Sequence, residues 1–390
     1  PPRAFRAIPS SRLPAALAEA LRSAVLEEIP HGFMTRHGGV STGPVASLNC
    51  GYGADDDRLA KMTLDVHLAR GHALGPDDEA RLAVGLVDRI ADMFDEPFAD
   101  ASALPTWRVC QLARERVTVA LSGDGADEAF AGYRRHRFHA AEERARSLLP
   151  SSIRQPVFGA LGRIWPKADW APQALRAKMT FQSLAASGEE GYARALAVTA
   201  PELRAALYSP DFRRQLGDYR AERPLIDMMR DAPARSGLDR AQYADLKFWL
   251  PGDILTKVDR TSMAVSLEAR EPLLDHRLIE FASALPERLR IRGGQGKWLL
   301  KHAMERYLPR EVLYRPKQGF VTPIAAWLRG PLASEARGIA HGATLSRTGW
   351  FDGDRVAAMA EAHIAGRSDH SRLLWQLLML DRSLTALEVG

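Results

Sequence analysis

The chain has few cysteines, few aromatics, few lysines and no long apolar run, and each shortage excludes something. Cys50 and Cys110 are the only cysteines in 390 residues. Two thiols cannot build a disulfide framework, and these lack the paired spacing of a zinc site. Both read as buried or incidental. No apolar stretch reaches the ~18–20 residues that span a bilayer. The opening Pro1-Pro2-Arg3-Ala4-Phe5 has no apolar signal core behind its charge. A soluble, cytoplasmic protein with no membrane partner is expected. Aromatics make up 7%, and no basic block or aromatic–basic motif is present. The net charge of +5 comes from 53 basic residues interleaved with 48 acidic ones. That pattern argues against a nucleic-acid partner, and a phosphorylated small molecule accounts for the mild excess.

Only eight of the basic residues are lysines, so arginine serves wherever a generic positive charge suffices. Four of the eight, Lys257, Lys297, Lys301 and Lys317, fall within one stretch. Lysine offers a compact point charge that the planar arginine fork does not reproduce. Apolar residues form 46% of the chain, enough for a sizeable core. At roughly 150 residues per domain the length suggests two or three domains.

Periodicity predicts the elements. Leu13, Ala16, Leu17, Leu21, Val25 and Leu26 follow helical spacing, and residues 31–41 read as a short strand entering a glycine turn. Leu82, Leu86, Ile90 and Met93 line one side of a helix over 79–94, which Asp95-Glu96-Pro97 ends. A helix over 106–116 precedes Val117-Thr118-Val119-Ala120-Leu121, a β-branched apolar run expected as a buried strand. A glycine turn follows, then one long helix from about Glu128 to Leu148. Residues 150–235 read as several short helices with no obvious chemistry. A helix over 239–250 is expected to stop at Pro251-Gly252. The tail, 333–390, is helical by pattern, with Trp375, Leu377, Leu378 and Leu380 packing onto the main body.

The turn Ser122-Gly123-Asp124-Gly125-Ala126-Asp127-Glu128 carries the first candidate chemistry. Gly123 and Gly125 permit a tight turn and close approach of a ligand. The N–H groups of the following helix start suit a phosphate. Bare carboxylates repel phosphate, however. Asp124, Asp127 and Glu128 fit only if Mg²⁺ or another cation stands between. A plain turn with helix-capping Asp is the bland alternative.

The second cluster holds Lys257, Asp259, Arg260, Glu268, Arg270 and Asp275. Pro272 and Leu273-Leu274 break any helix there. Glu268 and Arg270, two apart, cannot share a helix face. The segment reads either as an ordered polar network around a bound zwitterion or as buried structural ion pairs. Gly293-Gly294-Gln295-Gly296-Lys297 and Tyr314-Arg315-Pro316-Lys317-Gln318-Gly319 each set a lysine beside glycine, as a phosphate contact or an ordinary surface loop.

Over residues 75–335 the order and spacing of these clusters resemble the C-terminal synthetase domain of glutamine-hydrolysing asparagine synthetases. Asp95-Glu96-Pro97, Ala103-Leu104-Pro105-Thr106, the turn 122–128 with Gly132-Tyr133-Arg134, and Val258–Ala264 through Leu274-Asp275 carry the match. The pattern also looks close to members found in exopolysaccharide gene clusters, whose acceptor need not be aspartate. The resemblance implies a helix-rich α/β, parallel-sheet ATP-pyrophosphatase domain (adenine nucleotide alpha hydrolase-like). It implies ATP and Mg²⁺, a carboxylate substrate (aspartate or an analogue) and ammonia. The carboxylate would be adenylated, and ammonia would displace AMP. Asp124 and Lys317 would be catalytic, the first ordering ATP and substrate, the second stabilising phosphate charge. Asp127 would hold the metal. Ser122, Gly123, Gly125, Glu128 and Lys297 would contact ATP, and Arg260, Glu268, Arg270 and Asp275 the substrate.

Two family features have no match. The glutaminase domain opens with a catalytic cysteine, whereas this sequence opens Pro1-Pro2. The first phosphate loop, S-G-G-x-D-S, has as its nearest text His37-Gly38-Gly39-Val40-Ser41-Thr42. Residues 8–60, with His31–Pro44 and Ala46-Ser47-Leu48-Asn49, resemble instead the opening of the polyphenol-oxidase-like laccase-domain family of purine nucleoside phosphorylases. The expectation is a composite chain: an unrelated fragment over 1–65, an incomplete synthetase domain over 75–335 with a helical insertion at 150–235, and a helical tail over 336–390. The strand 117–121 should have a missing or improvised partner, and ATP turnover should be weak or absent. A non-catalytic nucleotide-binding subunit and a laccase-domain nucleoside enzyme fragment are the alternatives. A homodimer or a separate glutaminase remains open as partner.

Overall fold

The computed structural model describes residues 76–165, 177–314, 322–341 and 344–389. The N-terminal helix and strand, the laccase-like text, Cys50 and Lys317 lie outside the described residues. Among the described residues helices dominate, and two strands pair as a parallel sheet. Strand β1, Val119–Leu121, pairs with β2, Glu268–Arg270, in the register Val119↔Glu268, Ala120↔Ala269, Leu121↔Arg270. Parallel strands need a long crossover, and the helices between residues 126 and 263 supply it. The strand expected over 117–121 thus forms over its last three residues. Its pairing partner comes from the second polar cluster.

The largest core lies among the helices at the two ends of the described chain. Val87 and Ile90 of the helix Pro76–Met93 are buried with Trp107, Leu328, Leu332, Ile339, Leu374 and Trp375. Leu377 and Leu378 join them, and Leu380 packs against the same cluster. The apolar spacing predicted this docking of the C-terminal helix, Ser371–Val389. Full burial of one such leucine is worth about 1.5–3 kcal/mol. Cys110 is buried. No helix among the described residues is long and apolar enough to cross a membrane.

Two expectations fail for identifiable reasons. The single helix from Glu128 to Leu148 is two helices, Ala126–Ala129 and Arg134–Leu148. Ala131 adopts a left-handed φ of 54°, and the Gly132 N–H donates to the Asp127 carbonyl at 2.8 Å. This is the Schellman stop, with alanine where glycine is usual. The second failure is at Pro251-Gly252, which does not stop the chain's winding. After the helix Gly237–Ala244, residues Asp245–Leu255 form a π-helix that runs directly into the helix Thr256–Met263. A proline in an α-helix lacks its N–H and collides with the carbonyl four residues back. The wider π winding accommodates the ring and lets the helix continue.

The short helices of 150–235 form as expected: Ser151–Ile164, Lys178–Ala185, Gly188–Leu196, Pro201–Leu207, Pro210–Leu216 and Arg223–Arg230. Local chemistry starts several of them. Ser187 and Glu190 close a capping box, and Ser209 accepts from the Phe212 N–H.

Candidate active site

The glycine turn leaves the end of β1. The Ser122 N–H extends the ladder by donating to the Arg270 carbonyl at 2.7 Å. The Ser122 hydroxyl donates to Asp124 Oδ2. Gly125 has a φ of 87°, and a Cβ there would lie 2.0 Å from Leu274 Cδ2. The turn therefore packs directly on the short 3₁₀ turn Pro272–Leu274. At Gly123 a Cβ would meet nothing within 4 Å, so space opens beside the backbone at that position.

Asp127 follows in the short helix. Lys297 Nζ stands 3.1 Å from its Oδ1. The approach is tightly built. Lys297 has a left-handed φ of 56°, and its N–H donates to the Phe130 carbonyl at 2.9 Å. A Cβ on Gly296 would lie 2.1 Å from the Ala131 oxygen, and one on Gly132 would lie 1.9 Å from Asp127 Oδ1. The lysine loop and the Schellman turn thus fit only because both carry glycine. Sequence spacing had suggested a lysine for phosphate. The structure puts its ammonium on the carboxylate expected to hold metal.

Glu128 is 1% exposed, and the Tyr133 hydroxyl donates to its Oε1 at 2.5 Å. Burial pushes the Glu128 carboxyl above its ordinary value, and the tyrosine bond offsets only part of that. Gln242 holds the same turn by donating to the carbonyls of Glu128 and Ala129 at 2.5 and 2.9 Å. Arg290 in turn donates to Gln242 and Asp239.

Behind Tyr133 lies a buried hub that sequence reading missed. Asp245 is fully buried, and its Oδ2 accepts from Arg135 at 2.8 Å and from Tyr192 at 2.8 Å. His136 Nε2 stands 2.7 Å from the same oxygen. Burial would raise the Asp245 carboxyl, but His136, Arg135 and Tyr192 hold it below its ordinary value. Burial pushes His136 down, so a neutral ring donating from Nε2 suits this contact. The Arg135 guanidinium lies 3.7 Å over the Tyr133 ring and 5.0 Å from the Trp249 ring. Tyr192 comes from the stretch that showed no chemistry, and Asp245 opens the π-helix.

The second cluster is not one network. Lys257 is 8% exposed and donates to Asp100 Oδ2 at 2.7 Å and Ser102 Oγ at 2.8 Å. Burial would raise Asp100, but the lysine holds its carboxyl low. Asp253, one turn earlier, is pushed up to about 6 by burial and by the charge of Asp100. Arg260 pairs with Asp95 near the surface. Glu268 accepts from Arg270 Nε at 2.7 Å: two apart, they could not meet on a helix but share a face of β2. Asp275 caps the helix His276–Ala284 and takes three hydrogen bonds from Arg277. Those bonds bring its carboxyl down to about 2. Glu271, unremarked in the sequence, is raised by burial and by its neighbours Asp124 and Asp259.

The structure therefore gathers Ser122, Gly123, Asp124, Gly125, Asp127, Glu128 and Lys297 at the turn. It sets Glu268 and Arg270 on the adjoining strand, and Leu274, the neighbour of Asp275, against Gly125. Among the described residues no group of three or more His, Cys, Asp or Glu side chains forms a self-contained metal centre. Mg²⁺ does not require one: it binds through one or two carboxylates plus substrate phosphates. Asp127 suits that role, since its carboxylate already holds a cationic group.

The fold and turn define a helix-rich α/β protein with an acidic glycine turn on a parallel strand. The asparagine synthase family pattern matches residues 15–385, and the chain belongs to that family. It is 31% identical over 291 residues to asparagine synthetase [glutamine-hydrolyzing] 1 of Bacillus subtilis, covering 73% of this chain and 43% of that protein. It is 34% identical over 330 residues to a putative asparagine synthetase [glutamine-hydrolyzing] of Mycobacterium tuberculosis, covering 83% of this chain and 48% of that protein. The chain spans under half the length of each of these curated relatives.

Proposed function

We propose that this chain carries the synthetase half of an ATP-dependent amide-forming reaction on an ATP-pyrophosphatase fold. A carboxylate substrate, aspartate or an analogue, attacks the α-phosphorus of ATP and releases pyrophosphate. Ammonia then displaces AMP from the acyl-adenylate. The observation that carries this reading is the convergence of Ser122, Asp124, Asp127 and Lys297 on one glycine turn beside β2, together with the family match.

The residues divide the work. Asp127 would hold Mg²⁺ together with the phosphates, and the ion would neutralise phosphate charge. Lys297, released from Asp127, would meet a phosphate oxygen. Asp124, fixed by the Ser122 hydroxyl, would order the nucleotide and substrate. Lys317 would stabilise the charge that develops on the phosphate, the kind of preorganised term that is often largest in catalysis. Arg260, Glu268, Arg270 and Asp275 would line the substrate side. Their ion pairs are partly exposed, so a zwitterion can replace either partner.

The reading includes slow turnover, because the nearest text to the family's first phosphate loop lacks its Ser and Asp. Calorimetry with Mg²⁺ and ATP is the test. Saturable binding that weakens on Asp127→Asn is expected, and a wild-type protein without affinity for ATP would overturn the reading.

A further inference from the structure

Arg135 has no task in the reaction above, yet it touches four side chains from three segments. Its Nη2 donates to Asp245 and its Nε to the Tyr192 hydroxyl, the latter at 3.0 Å. Its plane lies over Tyr133 and beside Trp249 of the π-helix. Burial alone would lower its pKa, but Tyr192 and Asp245 raise it above the ordinary value, so it is a fixed cation. Tyr133, under the guanidinium, donates to Glu128. Glu128 adjoins Asp127, and the Schellman bond from Gly132 closes on the Asp127 carbonyl.

We propose that Arg135 is a positioning residue for the nucleotide site: by holding Tyr133 against the π-helix it fixes Glu128, and through that helix turn it sets where the Asp127 carboxylate stands. The inference rests on the reading of the turn as a nucleotide site. A lysine could neutralise Asp245 but has no planar group to set between the Tyr133 and Trp249 rings. Groups that hold a ligand-binding side chain in place are typically worth 10–100-fold in affinity or activity.

The test compares Arg135→Lys with Tyr192→Phe. The first keeps the charge and loses the plane. The second removes a hydroxyl from the same hub and leaves the plane. Hydrogen exchange without nucleotide reads the Ala129, Phe130 and Gly132 amides, which close the turn. Calorimetry with Mg²⁺ and ATP reads the site. Arg135→Lys should speed that exchange and weaken ATP binding, each by about tenfold. Tyr192→Phe should lower the melting temperature while leaving both within about twofold. Tyr133→Phe, which deletes the last bond of the relay, should reproduce the exchange change even if Arg135→Lys folds poorly. Unchanged exchange in Arg135→Lys and Tyr133→Phe overturns the inference. So do effects on exchange and affinity that merely follow melting temperature across all three variants. If the wild type binds no ATP, the nucleotide reading falls, and the exchange data alone still decide whether Arg135 positions the turn.

Discussion

The hub behind the glycine turn and the rim at 260–277 are both rich in charge, but they are built in opposite ways. In the hub, partners come from distant segments: Asp245 meets residues 109 and 110 positions away. In the rim, Glu268–Arg270 and Asp275–Arg277 are two apart, Arg260 reaches back to Asp95, and all three arginines are more than a third exposed. A buried charge without its partner is costly, so the hub tolerates one arrangement. Exposed pairs contribute little and re-form easily. The hub can therefore fix geometry, while the rim can exchange its partners for a substrate.

The sharpest way to break this comparison is Asp245→Leu, which strands Arg135 and leaves Tyr192 without its acceptor. Urea unfolding should show a loss of about 3–5 kcal/mol, and a loss below about 1 kcal/mol would mean the hub is not built on that carboxylate. Gly125→Ala should cost roughly 2 kcal/mol from its left-handed backbone and the clash with Leu274. Adding Leu274→Ala should recover the clash but not the backbone share.

Asp253 gives a pH-dependent version. Its folded pKa of about 6 lies above the unfolded value. Its contribution to stability is therefore fully present below about pH 4 and lost as pH rises through about 6. Asp253→Asn should remove that loss. Relative to wild type, the variant should gain roughly 1–3 kcal/mol in unfolding free energy between pH 4 and 7, and a flat difference would contradict the assignment. The smallest expected effect is Arg260→Ala. Unfolding should change by no more than about 0.5 kcal/mol, whereas the substrate concentration for half-maximal rate should rise. A stability loss as large as the hub's would erase the distinction.

Legibility in the sequence followed the same division. The 122–128 turn was readable because its strand, glycines and carboxylates are contiguous. The C-terminal helix was readable because Trp375, Leu377 and Leu378 follow one apolar pattern. Lys297 could be chosen for its glycine neighbours, but not its contact with Asp127, which depends on Gly132 and Gly296 permitting close approach. The hub was invisible. Tyr192, His136 and Asp245 carry no local signature, and only the fold brings them together. The π-helix was hidden because Pro251-Gly252 ordinarily ends a helix. Ala131 concealed the Schellman turn because alanine rarely takes a left-handed φ.

The central claim is that the acidic turn adenylates a carboxylate. Pyrophosphate release with ATP, Mg²⁺, aspartate or an analogue, and ammonia tests it most directly. The account predicts slow release that requires both Mg²⁺ and the carboxylate and disappears in Asp124→Ala. Release that ignores the carboxylate, or none from a protein that binds ATP, would contradict it.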